Sequence, residues 1–328
     1  MTREELGIIS LLSYVELFDY PLKESEIFSY YFGDPSAGNL DRKIIKESLD
    51  YLVGQGILSR DSSAGFYFFP DKSYTVETRL EREESSRKIL LKVRKISRLL
   101  AFLPWVRFIG VTGALSSLNS PPDDDADLII ITAHNRLWLA RLIAFLALKI
   151  LRLKKGQKRI RGRNAICVNV WMDEQYLDVN PQDRDLVVAY DIIRIKPLID
   201  KDGLLEKFIN TNSWIRNFFP LFQENDSAKR SRGEPLSFTF FSRRRDIFYP
   251  LKVIFDLLEI IAYKIQLRLI KKNFPDNLNI KESPFHLWQH PSDNRGKTLV
   301  RYGENLNRRL SGWDQPLDNG QKSIDNNI

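Results

Sequence analysis

The sequence has a single cysteine and no long run of apolar residues. Cys167 alone cannot form an intrachain disulfide framework, and such low cysteine usage indicates a reducing compartment. The two most apolar stretches, 137–153 and 247–270, are interrupted by charged side chains before either reaches the roughly 18 consecutive apolar residues of a membrane span. We therefore expect a cytoplasmic protein with no integral membrane segment. A peripheral membrane role for the two stretches stays open.

A secretion signal is also missing, because Met-Thr-Arg-Glu-Glu places acidic residues where a signal peptide needs a basic region. What the chain does contain is 43% hydrophobic and 12% aromatic residues in 328, enough for two or three folded domains. The formal net charge of +8 favours a polyanionic partner such as nucleic acid, or a phosphorylated substrate. Ordinary enzymes carry a similar basic excess, so the charge alone does not decide.

Residues 1–72 are predicted to form a winged helix-turn-helix module. Apolar residues at helical spacing indicate three helices, and Asp41 can cap the third. Two short strands on either side of a turn at 62–65 indicate a wing. The predicted buried stripe of the third helix consists of Ile44, Ile45, Leu49, Leu52 and Val53.

The third helix and the wing carry basic residues that could meet a DNA backbone. These residues are Arg42, Lys43, Lys46 and Arg60. Glu47 and Asp50 dilute the charge of the same face, so a module used for protein contacts or dimerisation is an equal alternative.

Beyond the module the pattern changes to a connecting helix and then to α/β. We expect a connecting helix at 73–103, an α/β domain at 104–220, a linker and helical region at 221–310, and a disordered tail at 311–328. The predicted strands of the α/β domain are 106–112, 126–132 and 165–172, and the predicted helices from its first long one onward are 135–153, 183–195, 203–218, 247–272 and 293–310.

The residues that carry chemistry lie where the first two of these strands end and begin. Gly113 follows a strand and opens a short helix, where a glycine lets the backbone approach a phosphate closely. Asp125 and Asp127 are spaced i, i+2 at the start of the next strand, so both carboxylates project from one face. Such a pair can hold Mg²⁺ against a triphosphate. The alternative is a solvated acidic turn, since Asp123 and Asp124 extend the run.

This stretch, from Phe108 through Gly113-Ala114 to Asp125-Ala-Asp127, resembles the signature of the polymerase-β-type nucleotidyltransferase superfamily. The wider arrangement is similar to proteins in which a winged helix precedes a minimal nucleotidyltransferase domain. The resemblance covers about residues 5–220. It implies an α+β multidomain chain: an N-terminal winged helix, a central nucleotidyltransferase-like α/β domain with a small mixed sheet, and a C-terminal helical region. It also implies that Asp125 and Asp127 are the catalytic Mg²⁺ ligands.

By the same match, Gly113 and Ala114 form the turn that binds the nucleotide's phosphates. The family has a serine where Ala114 stands, and Ser116 could supply the missing hydroxyl. The family's third carboxylate falls on Asn169, which can coordinate a metal but cannot act as a general base. Asp173, just beyond, is the other candidate for that role.

Three functions follow as hypotheses. The first is an enzyme that moves an NMP group from an NTP to an unknown acceptor. The second is a DNA-binding regulator whose degenerate nucleotidyltransferase-like domain senses nucleotide, and the third is a partner protein of the toxin–antitoxin type. His286 and His290, at i, i+4, would suit a metal if they lay on a helix, but without a third ligand a structural role is favoured.

Overall fold

The computed structural model shows an α+β protein with two sheets, one of three strands and one of six. The residues that it describes are 1–33, 40–103, 105–150, 165–222, 251–273, 279–290 and 295–311. The predicted linker and nearly all of the predicted tail therefore lie outside the described residues. Across the part of the chain that the structure describes, no helix combines the length and the apolar character needed to cross a membrane.

An N-terminal unit of three helices and a small sheet comes first. Its elements are α1 (Arg3–Val15), β1 (Leu22–Lys23), α2 (Glu24–Ser29), α3 (Arg42–Gly54), β2 (Ser59–Arg60) and β3 (Phe66–Phe68). The strands are antiparallel in the order β1-β3-β2. Helix α1 begins with a capping box, because Thr2 accepts a hydrogen bond from the amide of Glu5 while the Glu5 carboxylate accepts one from the amide of Thr2.

Helix α3 buries the middle of its predicted stripe. Ile45, Leu49 and Leu52, at i, i+4 and i+7, are fully buried, as the helical period requires. Ile44, at the edge of the stripe, is 40% exposed. Asp41 occupies the N-cap position but makes no side-chain capping bond.

Helix α4 (Thr75–Ala101) then leads into the six-stranded sheet. The further elements are β4 (Val106–Val111), α5 (Gly113–Ser116), β5 (Ala126–Thr132), α6 (Leu137–Ile150), β6 (Ile166–Asp173), α7 (Leu186–Ile193), β7 (Lys196–Asp200), α8 (Leu204–Thr211), α9 (Lys252–Asn273), β8 (Asn279–Glu282), β9 (His286–His290) and α10 (Arg295–Ser311). The strand order is β7-β4-β5-β6-β9-β8. Only the β5–β6 pair is parallel among these neighbours, and the other four pairs are antiparallel.

Three of the six strands were not predicted. Strand β7 lies between two predicted helices, and β8 with β9 lies in the region expected to be helical. Val170 to Met172 of β6 pair with His286 to Trp288 of β9, so the C-terminal region extends the central sheet. The region expected to be a linker and helices does contain α9 and α10, but the two strands between them were not expected.

The two faces of the sheet pack against different layers. On one face Phe108, Ile129 and Ile131 join a core that includes α7, α8 and the apolar residues of the N-terminal unit. On the other face Leu128 and Ile130 join a core with α4, α6 and α9. The N-terminal unit and one side of the central sheet thus share one continuous hydrophobic core.

Candidate functional site

Gly113 lies directly against the carboxylate of Asp127. The glycine has a φ of +62°, in the left-handed region that other residues rarely adopt. A Cβ atom at this position would lie 2.9 Å from Oδ2 of Asp127. Glycine is therefore required twice, by its backbone conformation and by the approach of the acid.

Asn169 contacts the other oxygen of the same carboxylate. Its Nδ2 donates a hydrogen bond of 2.7 Å to Oδ1 of Asp127, and its Oδ1 accepts one of 2.8 Å from the thiol of Cys167. Asp127 pairs with Cys167 in the parallel β5–β6 ladder, and Asn169, two residues after Cys167, lies on the same face of the sheet. The pairing becomes irregular just beyond this point, since Leu128 pairs with Val168 but Ile129 pairs with Val170.

The carboxylate of Asp127 is half-buried in an acidic neighbourhood. Burial raises its pKa from 3.8 to about 7, the hydrogen bond from Asn169 lowers it in part, and the charges of Asp124, Asp125 and Asp191 raise it further. Such a carboxylate gains when a cation neutralises it.

Asp125 immediately precedes β5, two residues before Asp127, and is near enough for its charge to act on the Asp127 carboxylate. It is half-buried, so both members of the predicted pair are partly open to solvent. Asp124 is used differently: its carboxylate accepts hydrogen bonds from the Ser120 hydroxyl at 3.2 Å and from the Asp125 amide at 3.0 Å. Asp124 therefore orders the loop that presents the pair.

The predicted phosphate turn is built as expected, with one qualification about its serine. Gly113 and Ala114 open α5, and both are half-buried. The hydroxyl of Ser116 donates a 2.7 Å hydrogen bond to the carbonyl oxygen of Gly113. Because that hydroxyl already stabilises the turn, it replaces the family's serine only if it changes partner.

Asp173 does not belong to this site. It pairs with Thr132, whereas Asp127 pairs with Cys167, so the two acids are five positions apart along β5 and about 16 Å apart at strand spacing. Asp173 is fully buried and accepts hydrogen bonds from the amides of Asn135 and Gln175, at 2.7 and 2.9 Å. Its role is to order the chain after β5 and β6, and the prediction of a metal ligand here fails on position.

Helix α7 adds two residues that the sequence did not suggest. It packs on the same face of the sheet from which Asp127 projects, through Val188, Ala189 and Ile192. Asp191, in the last turn of α7, keeps part of its side chain exposed. The protein around its carboxyl group displaces water and so raises its pKa to about 6. Arg194 follows at the end of the helix. Nothing in the spacing of α7 distinguishes these residues from ordinary surface charges.

The N-terminal unit reaches the rim of the site. The hydroxyl of Tyr20 donates a 2.9 Å hydrogen bond to the carbonyl oxygen of Ser117, one residue after α5. The side-chain amide of Asn119 donates a 3.0 Å hydrogen bond to the carbonyl oxygen of Phe18. A conformational change in the phosphate turn would therefore alter these hydrogen bonds to the loop after α1.

The residues predicted to touch DNA lie on α3 and β2. All four are exposed: Arg42, Lys43, Lys46 and Arg60. Lys43 is 3.8 Å from Glu47, and Arg42 and Arg60 lie over the rings of Phe28 and Tyr67 at 4.9 and 5.6 Å. All four side chains are thus open to solvent, and Glu47 beside Lys43 gives the acidic dilution that the sequence indicated.

The two histidines at positions 286 and 290 and the cavity lie apart from this site. His286 and His290 are at the two ends of β9, about 13 Å apart, so they do not share a helix face. A cavity of about 480 Å³ lies between Tyr176, Lys207 and Trp288, beyond the Asp173 end of β6. Within the described ranges, no group of three or more His, Cys, Asp and Glu side chains is clustered closely enough to hold a metal ion.

Comparisons with protein-family models, with curated proteins and with solved structures found no match to this chain. The site is therefore interpreted from its own geometry, with the sequence signature as the link to a known chemistry. That geometry brings together Gly113, Ala114, Asp125, Asp127 and Asn169, and leaves Asp173 outside.

Proposed function

We propose that this protein is a magnesium-dependent nucleotidyltransferase that moves an NMP group from an NTP to an acceptor. The observation that carries the proposal is the close approach of the Gly113 turn to the Asp127 carboxylate, with Asp125 two residues before that acid. A glycine turn that opens a helix beside an i, i+2 acid pair is the arrangement that the polymerase-β-type signature implies.

The residues present fit a divalent cation bound together with a nucleotide. Asp125 and Asp127 are oxygen donors, and Asn169 could turn its amide oxygen to the metal in place of the contact it now makes. Three protein oxygens are fewer than Mg²⁺ requires, and phosphate oxygens and water complete such shells. Burial and then the negative charges of the neighbouring acids raise the pKa of Asp127, and a cation would relieve both costs. Bound there, Mg²⁺ would stabilise the charge that develops on the phosphates.

The chain's own residues have defined tasks in this reaction. An acceptor hydroxyl attacks the α-phosphorus, the new P–O bond forms, and the bond to the β-phosphate's bridging oxygen breaks to release pyrophosphate. The Gly113-Ala114 backbone places the phosphates next to the acids. Asn169 fixes the orientation of Asp127 but cannot accept the hydroxyl proton, so that proton must pass to a carboxylate of the site or to water.

The test is release of pyrophosphate from NTPs by the full chain, with and without Mg²⁺. We expect magnesium-dependent release that Asp127→Asn lowers by at least about 100-fold, the scale of losing a preorganised charge interaction in a transition state. Asp123→Asn is the matched control, since this exposed acid belongs to the same run but not to the pair. Equal turnover in the wild type and Asp127→Asn would exclude the proposed site.

A second function is supported by the N-terminal unit: a DNA-binding regulator that senses nucleotide through a degenerate site. Helix, strand, two helices and a hairpin, in the sheet order β1-β3-β2, is the arrangement of a winged helix-turn-helix module. The Tyr20–Ser117 hydrogen bond connects this unit to the phosphate turn.

This second function predicts salt-sensitive duplex binding by the full chain, because phosphate contacts release counterions. The double variant Arg42→Ala/Lys46→Ala should reduce the slope of log K against log salt by about 2, one for each lost contact. Lys95→Ala/Arg98→Ala on α4 serves as a charge-matched control. A wild type that binds no duplex at low salt would exclude the DNA-binding function.

A further inference from the structure

Arg194 has a side chain whose hydrogen-bonding capacity is unused. Its guanidinium lies over the ring of Tyr190 at 4.4 Å and 5.7 Å from the ring centre of Tyr20. Its Nε is buried and has no hydrogen-bond partner. Burial raises the pKa of Asp191, one turn earlier, and the nearby charge of Arg194 lowers it in part. The two side chains nevertheless form no ion pair within 4.0 Å in the described structure.

Comparable arginines elsewhere in the molecule are paired. A buried guanidinium without partners costs free energy, because its donors lose their bonds to water. Arg79 also stacks on Tyr20, at 4.0 Å, but it bonds to Glu26 at 2.7 Å. The other arginines that bond an acid, a carbonyl or an amide oxygen include Arg107, Arg136, Arg141, Arg184 and Arg309. Arg194 differs from these arginines because its guanidinium makes only ring contacts with the described residues, which leaves donors available to a ligand.

The position of Arg194 is beside the candidate site. Two residues later Lys196 begins β7 and pairs with Val111, which itself stands two residues before Gly113. On its other side, the Tyr20 ring that Arg194 approaches belongs to the residue that bonds to Ser117. Arg194 thus lies two residues before β7, which pairs with β4 up to Val111, and close to Tyr20, which bonds to Ser117 just after α5.

We propose that Arg194 binds the phosphate groups of the nucleotide at this turn. A guanidinium presents a planar set of N–H donors that matches phosphate oxygens, and stacking on tyrosine fixes its plane before the ligand arrives. An anion that enters beside Asp125, Asp127 and Asp191 also needs a fixed positive charge to offset their repulsion. The assignment of the anion to an NTP rests on the proposed function, whereas the binding of a polyphosphate does not.

The experiment measures binding of inorganic tripolyphosphate and of ATP by calorimetry, in EDTA and in Mg²⁺, to the full chain. Loss of charge-assisted hydrogen bonds should weaken tripolyphosphate binding by about 10- to 100-fold in Arg194→Met. Arg194→Lys keeps the charge but not the planar donors, so its affinity for tripolyphosphate should lie between those of the wild type and Arg194→Met. Arg184→Met is the matched control: Arg184 also stacks on a ring, that of Trp214 at 5.9 Å, but it is bonded to Asp178 and Val179.

Folding of each variant is checked by its thermal transition. Arg194→Met should unfold close to the wild type, because the lost stacking on Tyr190 is offset by removal of a buried donor that has no partner among the described residues. If it does unfold lower, the protection of the transition by tripolyphosphate in Arg194→Lys replaces the calorimetry. Equal tripolyphosphate binding by the wild type and a folded Arg194 variant would overturn the inference, as would equal protection of the wild type and Arg194→Lys.

The two proposals fail separately. Asp127→Asn should keep tripolyphosphate binding in EDTA, since it removes a negative charge and leaves Arg194 in place. Arg194-dependent binding without any pyrophosphate release would remove the transferase function and keep the phosphate site. Pyrophosphate release by Arg194→Met with an unchanged KM for NTP would keep the transferase function and remove the phosphate-binding role of Arg194.

Discussion

Asn169 and Asp127 share one hydrogen bond of 2.7 Å, donated by the amide nitrogen to Oδ1 of the acid. The bond occupies one carboxylate oxygen. The other, Oδ2, lies so close to Gly113 that a Cβ at position 113 would be 2.9 Å from it. An aspartate at position 169 would place two carboxylates where an amide and a carboxylate now meet. In the absence of a cation that pair would have to retain a proton.

This relationship predicts that Asn169→Asp makes the protein dependent on a divalent cation. In EDTA we expect a loss of about 1 to 3 kcal/mol in the free energy of unfolding, from the broken hydrogen bond and the added repulsion. Saturating Mg²⁺ should restore most of the lost free energy of unfolding, and it should stabilise the variant more than the wild type. Thermal unfolding of both proteins in EDTA and in Mg²⁺ measures these two effects. Asn169→Ala provides the comparison for the lost bond alone, and an Asn169→Asp variant indifferent to Mg²⁺ would contradict the metal site.

A second prediction compares two glycines with the same backbone conformation. Gly113 and Gly65 have φ values of +62° and +71°, but only Gly113 has an atom within 4 Å of the position a Cβ would take. Each substitution by alanine costs about 1 kcal/mol for the left-handed conformation. Gly113→Ala should cost about 1 to 2 kcal/mol more, because Asp127 must move. Denaturant unfolding measures the difference, and equal losses would show that the Asp127 contact is of no consequence.

The pKa of Asp127 predicts a pH dependence of stability in metal-free solution. Burial raises this pKa to about 7 from 3.8, so between these values the folded state holds a proton that the unfolded state has released. The contribution of the protonated acid is complete below about pH 4 and is lost as the pH rises to about 7. We expect the wild type to lose on the order of 2 kcal/mol relative to Asp127→Asn over that range. Parallel stability curves for the two proteins would contradict the raised pKa.

A fourth prediction concerns the hydrogen bond between the two parts of the molecule. Tyr20→Phe removes the bond to Ser117 and should destabilise the protein by about 1 kcal/mol. Tyr67→Phe, in the same unit, should leave stability unchanged or raise it slightly, since the buried Tyr67 hydroxyl has no partner. Thermal unfolding of both variants tests the pair. The reverse order of stabilities would show that the Tyr20 bond contributes nothing.

The sequence was sufficient where a local pattern determines the structure. The apolar run after Asp127 predicted β5 with its observed limits, since a buried strand reads as a continuous apolar segment. The 3.6-residue period likewise predicted α3. For the site, the sequence placed Asp125 and Asp127 at the start of a strand, and the strand begins at Ala126, between the two acids.

The rest depends on pairing and packing between distant segments. Nothing in the residues 286–290 shows that they pair with β6, because a strand of five residues has too short a pattern to identify its partner. Asp173 is close to Asn169 in sequence, but four residues along a strand is about 13 Å. Arg194 and Asp191 become candidates only once α7 is packed on the face that carries Asp127.

The last described helix, α10, completes the surface of the first. Arg309 donates hydrogen bonds to Glu16 at 3.0 Å and to Asp71 at 2.7 Å, and Asn305 donates one of 2.7 Å to the carbonyl oxygen of Ser13. Glu16 and Arg309 are 293 positions apart, which at ribosomal elongation rates is a delay of roughly 15 to 60 seconds. During synthesis Glu16 has Lys72, at 3.6 Å, as an ion-pair partner but must wait that long for Arg309, and the Ser13 carbonyl waits similarly for Asn305. Nascent chains that end before residue 295 should therefore be the ones that chaperones and proteases engage at the N-terminal unit.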